Sequence, residues 1–151
     1  MAHPVQRPPA DTCPVGRALD LIGDRWSLLI VREAFDGVRR FSDFQRRLGM
    51  SRSMLSQRLQ ALITAGVLLQ QADPERSSYS HYVLSERGQA LFPLVVALRQ
   101  WGEAHLFQAG EPRSVLQALS DAQPLAPMLP RDQLGQVVGA AQARVVKPDP
   151  A

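Results

Sequence analysis

The stretch SDFQRRLGMSRSMLSQRLQALITAG, Ser42–Gly66, decides how this chain is read. Ser42 is followed three residues later by Gln45, the pattern of a capping box, so a short helix is expected to open at Ser42 and run to Leu48 before Gly49 ends it. Ser51 can cap a second helix almost at once. That helix, Arg52 to Ala65, places Leu55, Leu59, Leu62 and Ile63 on one stripe and stops at Gly66, a residue suited to the left-handed closing position. Two short helices joined by three residues containing Gly, the second longer and carrying one apolar stripe, have the form of a helix-turn-helix.

The flanking sequence extends this pattern. Upstream, Pro14 suits a first helical position, Gly23 closes a segment Val15 to Ile22, and Asp24 can cap the next helix, Arg25 to Phe35, which Asp36 and Gly37 stop. Downstream, Val67 to Gln71 has strand character, Asp73-Pro74 signals a turn, and Tyr79 to Leu84 reads as a returning strand, which together make a two-stranded wing. Ser85 is then expected to cap one long final helix with apolar residues at Leu91, Leu94, Val95, Leu98, Trp101 and Leu106, bent at Pro93. The fold class is mainly α with a small β-hairpin wing (α+β), a winged helix-turn-helix. The apolar stripe on the final helix exceeds the needs of one small core, so dimerisation through the terminal helices is expected.

Nine of the twelve Pro lie before Cys13 or after Phe107, which marks the domain boundaries. The expected organisation is a flexible arm 1–12, a DNA-binding and dimerisation domain 13–108, and an extension 109–151. Within that extension Ser114 to Ser120 and Asp132 to Val145, the latter with Leu134, Val137, Val138 and Ala141 on one side, are two candidate helices. At 151 residues with 45% hydrophobic residues, the chain can build one ordinary core and not two comfortable ones. The longest apolar runs, Trp26 to Val31 and Leu91 to Leu98, fall far short of the roughly 20 residues of a membrane span. The first twelve residues contain three Pro and no apolar run, so no secretory signal fits and a cytoplasmic protein is expected.

Five blocks in order, Cys13-Pro14-Val15, Leu19-Asp20-Leu21-Ile22-Gly23-Asp24-Arg25-Trp26, Arg40-Phe41-Ser42-Asp43-Phe44, Met54-Leu55-Ser56-Gln57-Arg58-Leu59 and Leu84-Ser85-Glu86-Arg87-Gly88, resemble the HxlR-type transcriptional regulators. The resemblance runs from about Cys13 to His105. It implies a small bacterial winged-helix homodimer, related in architecture to the MarR group, that binds double-stranded operator DNA and answers a chemical signal. The expected function is that of a repressor.

The residues themselves support the nucleic-acid expectation. Between Arg39 and Arg58 there are six Arg (Arg39, Arg40, Arg46, Arg47, Arg52 and Arg58) against one acid, Asp43, so this window carries +5 where the whole chain carries +3. Such a cluster attracts phosphates whatever the base sequence. Base reading needs side chains pointing away from the apolar stripe, and a step of about 100 degrees per residue puts Ser53, Gln57 and Gln60 there. Ser51 at the helix start, Ser56, and above all Arg52, Ser53 and Gln57 are the candidate contacts. In the wing Arg76 can reach a minor groove or a phosphate, while Asp73 and Glu75 argue for modest wing affinity. A dimer places two reading helices about 34 Å apart and so predicts an inverted repeat.

Cys13, the only cysteine, stands at the lip of the first helix, where unpaired amides favour a thiolate and Arg17 adds positive charge one turn on. In the resembling family a cysteine at this place senses oxidants or electrophiles in several members; an inert packing thiol is the plainer reading. Trp26, Phe92, Trp101 and Phe107 suggest a small-ligand pocket, but large apolar residues at helical spacing are expected inside any domain. His3, His81 and His105 show neither paired ligand spacing nor a carboxylate partner in sequence, so no metal is expected. No phosphate loop or nucleophile elbow occurs, so neither a cofactor nor a catalytic centre is expected. The competing function is a winged helix used only for protein docking, which has no obvious need for the arginine cluster.

Overall fold

The computed structural model describes residues 12–148. The expected arm 1–12 lies outside the described residues except for its last position. The elements in order are α1 (Pro14–Ile22), α2 (Arg25–Phe35), α3 (Phe41–Leu48), α4 (Arg52–Thr64), β1 (Leu68–Ala72), β2 (Ser80–Leu84), α5 (Glu86–Gln89) and α6 (Phe92–His105). This is the winged helix-turn-helix expected from the sequence.

Local chemistry sets the boundaries. Pro14 occupies the first turn of α1, where its missing N–H is no loss. The Asp24 carboxylate accepts from the amides of Trp26 and Ser27 and so caps α2, and the Ser51 hydroxyl accepts from Met54 N at 3.2 Å to cap α4. Gly49 adopts φ +63° and turns the chain from α3 into α4, a conformation that glycine tolerates best. Ile22, Ile30, Val31, Phe44, Leu55, Leu59, Leu62, Val67 and Leu68 are buried beneath these helices and β1. The strands pair antiparallel, from Leu68 with Leu84 to Ala72 with Ser80. Arg40 extends this sheet by a bridge to His81, and Tyr82 N donates to Arg39 O at 2.8 Å. Gly88 packs so closely on the wing root that a Cβ there would meet Val67 O at 2.2 Å.

Two expectations about these elements need correction. The first helix of the motif opens one residue early, at Phe41, and Ser42 does not cap it. Arg40 is the residue before the helix, its backbone held extended by the bridge to His81, so strand pairing rather than a capping box fixes the start. Ser85 caps only the single turn α5; its hydroxyl accepts from Gly88 N at 3.0 Å and donates to Gly66 O at 2.6 Å. A new helix begins at Phe92, because Pro93 costs nothing in a first turn and would break the ladder of a continuous helix. The described residues divide into two compact units between Leu91 and Phe92, so the expected domain 13–108 spans one unit and the beginning of the next.

The second unit, Phe92–Lys147, holds α6 and an extended tail. Arg99 Nη1 donates to Ser114 O at 3.1 Å, while the Gln100 amide donates to Ala126 O at 2.9 Å and accepts from Met128 N at 2.7 Å. Neither candidate tail helix forms. Ser114 to Ser120 is too short to repay helix nucleation without strong tertiary support. In Asp132 to Val145 the Asp132 carboxylate accepts from Leu134 N and Gln136 N, and Gly135 takes φ +81°, which diverts the backbone into a turn. Only one turn of tight helix, Ala140–Gln142, remains.

Candidate nucleic-acid interface

The motif presents α4 as a stiff rod with one face buried and one free. Leu55, Leu59 and Leu62 are buried, which sends Ser53, Ser56, Gln57 and Gln60 to the exposed side, the face expected from the helical period. An open hollow of about 690 Å³ runs along this face, lined by Leu21 of α1 and by Ser56, Gln57, Gln60, Ala61, Thr64 and Ala65. Polar amide and hydroxyl groups facing an open hollow can exchange hydrogen bonds with base edges. Arg52 stands at the first turn with its guanidinium 5.6 Å from the Phe41 ring centroid, a cation–π contact that orients it. Ser51 is largely spent on the cap.

The arginine cluster does not act as one block. Arg40 donates from Nε to Asp73 at 2.8 Å and from Nη2 to Glu75 at 2.9 Å. Arg47 pairs with buried Glu33 at 3.1 Å, joining α3 to α2, and Arg32 pairs with the same carboxylate. Arg58 lies 3.6 Å from the Asp24 cap of α2, and Arg46 pairs with Asp43 at 2.7 Å on its own helix. Four acids from outside the window therefore fold back onto its +5. Among the described residues Arg39, Arg52 and Arg76 have no carboxylate partner; all three are exposed. Arg46 keeps a side chain 73% exposed and can swing from Asp43 to a phosphate. Arg40, by contrast, is a structural tie whose guanidinium is already occupied by two acids.

Asp73 is the residue sequence reasoning undervalued. It was expected to weaken wing affinity as a surface acid, yet it is 2% exposed. Its Oδ1 accepts from the amides of Glu75 and Arg76, and its Oδ2 accepts from Arg40 and lies 3.0 Å from His81 Nε2. Burial alone would raise this carboxyl; the Glu75 amide, Arg40 and His81 outweigh burial and lower it to about 2. The same contacts raise Arg40 further above its ordinary range. Burial likewise opposes ionisation of Asp24, and its bonds from Ser27 with the charge of Arg58 prevail and lower it. His81 thus has a carboxylate partner after all, but one eight positions away across a turn. An Asp followed at two and three positions by free amides is a recognisable turn signal; the partner Arg40, 33 positions upstream, left no local trace.

Cys13 is exposed and is the residue before α1, with Sγ accepting from Gly16 N at 3.4 Å. Trp101 is exposed on α6, its ring 5.3 Å from that of His105. No helix among the described residues is long and apolar enough to cross a membrane.

Comparison with known proteins gives a consistent result. Residues 21–109 match the family described as HxlR-like helix-turn-helix. The chain is 41% identical over 139 residues to the HTH-type transcriptional regulator Rv3095 of Mycobacterium tuberculosis, covering 90% of this chain and 84% of that one. Among solved structures it is similar to PA1607, described as a candidate transcription factor, at 42% identity and a TM-score of 0.86 over 90% of this chain and 95% of the other. It is also similar to the oxidised form of the redox regulator HypR, at 30% identity and a TM-score of 0.56, over 62% of this chain and 97% of HypR.

Proposed function

Since this chain belongs to the HxlR-like helix-turn-helix family of transcriptional regulators, we propose that it represses transcription by binding an inverted-repeat operator as a homodimer, each copy setting α4 in a major groove and Arg76 of the wing against the flanking backbone or minor groove. The observation that carries this reading is the free face of α4. Ser53, Gln57 and Gln60 stand exposed on a helix whose opposite side is locked into the core, with unpaired Arg52 and Arg39 nearby to engage phosphates. In this reading Gln57 and Arg52 read bases, since a Gln amide suits adenine and an Arg fork suits guanine. Arg46 and Arg39 position the duplex without reading it.

The dimer would close over apolar faces that are exposed in the single chain. Val15 and Leu19 on α1 are 66% and 53% exposed, and Leu94, Leu98 and Trp101 on α6 are exposed as well. Large apolar side chains on amphipathic terminal helices are ordinary material for a twofold interface.

Release would be triggered at Cys13. HypR is a redox regulator solved in oxidised and reduced forms, and Cys13 offers an exposed thiol at a helix start beside the apolar face of α1. With one cysteine per chain, its thiolate can attack a low-molecular-weight disulfide, forming a mixed disulfide and expelling one reduced thiolate, or add to an electrophile. Electrophoretic mobility shift on sheared genomic DNA at two salt concentrations tests the DNA reading; absence of any shift in dilute buffer refutes it and leaves a docking module. Titration with a thiol oxidant tests the trigger. Wild type should lose DNA and Cys13→Ser should retain it; equal loss in both excludes Cys13.

A further inference from the structure

A winged helix grips DNA with two separate parts, and the wing turn at its tip has no core of its own. Residues 74–79 are all exposed, so nothing apolar anchors them. Tyr79 N donates to Arg76 O at 2.8 Å within the turn, and the rest of the hold converges on Asp73 and its buried carboxylate. Asp73 Oδ1 accepts from Glu75 N at 2.8 Å and Arg76 N at 3.3 Å, which sets the turn, and Asp73 N donates to Tyr79 O at 2.9 Å, which closes it. Asp73 Oδ2 accepts from Arg40 Nε at the start of α3 and lies 3.0 Å from His81 Nε2 on the returning strand. One side chain therefore joins the entry of the helix-turn-helix, both strands of the wing and the backbone that carries Arg76.

We propose that Asp73 is a positioning residue for DNA binding: by tying the wing turn to Arg40 and His81 it fixes where Arg76 meets the duplex. The inference rests on the DNA-binding reading given above and adds to it a residue that never touches DNA. Simple electrostatics makes the opposite forecast, because deleting an acid next to a phosphate-binding surface should strengthen binding. In the tie, removing the charge instead frees the turn and leaves Arg76 to be ordered at the moment of binding, an entropic cost taken from affinity. It also releases Arg40, whose remaining partner, Glu75, is exposed and holds it weakly.

Asp73→Asn is the informative variant, since it keeps an oxygen for the turn amides and removes the charge that holds Arg40. Its binding to a fluorescently labelled duplex of mixed sequence is compared with that of wild type, Arg76→Ala and the double variant, with helical circular dichroism as the control for folding. Asp73→Asn is expected to weaken binding by about tenfold, a change of about 1.4 kcal/mol, and the double variant to be no weaker than Arg76→Ala alone. A variant that binds as tightly as wild type or tighter, or losses that simply add, overturns the proposal. A second measurement needs no DNA: trypsin cleavage after Arg76, followed by mass spectrometry, should be about tenfold faster in Asp73→Asn, because cleavage tracks the population of the opened turn. Unchanged cleavage overturns the tie even if wild type binds DNA, and if wild type ignores DNA while cleavage accelerates, the functional reading falls and the tie stands.

Discussion

The internal pairing of the arginines makes a quantitative forecast about salt. If all seven candidate arginines, Arg39, Arg40, Arg46, Arg47, Arg52, Arg58 and Arg76, displaced counterions, a dimer would neutralise about fourteen phosphates and the slope of log K against log salt would be about −13. The structure commits three of them to carboxylates on other elements, Arg40 to Asp73 and Glu75, Arg47 to Glu33 and Arg58 to Asp24. Breaking such a pair to reach a phosphate exchanges one ionic partner for another and gains little. Arg39, Arg52 and Arg76 remain, with Arg46, whose pair to Asp43 on its own helix is exposed, so a dimer brings about eight cations and a slope of about −7 is expected. Between about 50 and 200 mM salt that is a loss of about 10⁴ in affinity, against nearly 10⁸ for the full set. Fluorescence anisotropy with one labelled duplex across that range reads the slope directly. A value near −13 would show that the internal pairs open on DNA and would refute the division between ties and contacts, and a value near zero would refute phosphate binding altogether.

The other predictions concern single residues. Gln57→Ala should relax base preference at one step of each half-site with little effect on random DNA, whereas Arg46→Ala should weaken operator and random DNA alike; equal losses on both for both variants would remove the distinction. Gly88→Ala forces a Cβ to within 2.2 Å of Val67 O and should destabilise the wing root by at least about 2 kcal/mol, read as a lowered midpoint in urea with unchanged slope. The Asp73 carboxyl should titrate in the folded protein at about 2, below its ordinary 3.8. Because that pKa is lowered, its contribution to stability is full above pH 3.8 and disappears as pH falls toward 2. Carbon NMR of the labelled carboxyl checks this, and a midpoint near 3.8 would mean that the tie is absent.

Much of the fold was legible because it is written in local punctuation. Pro14, Gly23 and Asp24 bracket the first two helices within a residue, and Gly49, Ser51 and Gly66 do the same for the reading helix. The outward face of α4 followed from the helical period alone. Errors arose where distant partners decide. The start of α3 is set by a bridge from Arg40 to His81, and Ser42 merely resembled a cap. The tail showed helical spacing, but Gly135 and the Asp132 side chain turn its backbone aside. Charge counting finds the arginine-rich window but cannot say which members are already satisfied, since Glu33, Asp24, Asp73 and Glu75 lie 14 to 35 positions away from the arginines they hold in three dimensions.

The most direct test of how α4 is used is guanine N7 methylation interference on a genomic fragment selected by the protein, because N7 is exposed only in the major groove. Two patches of interference centred about ten base pairs apart, or a multiple of that, related by an inverted repeat, are predicted. Binding that persists when every N7 is methylated would place α4 outside the groove and contradict the account.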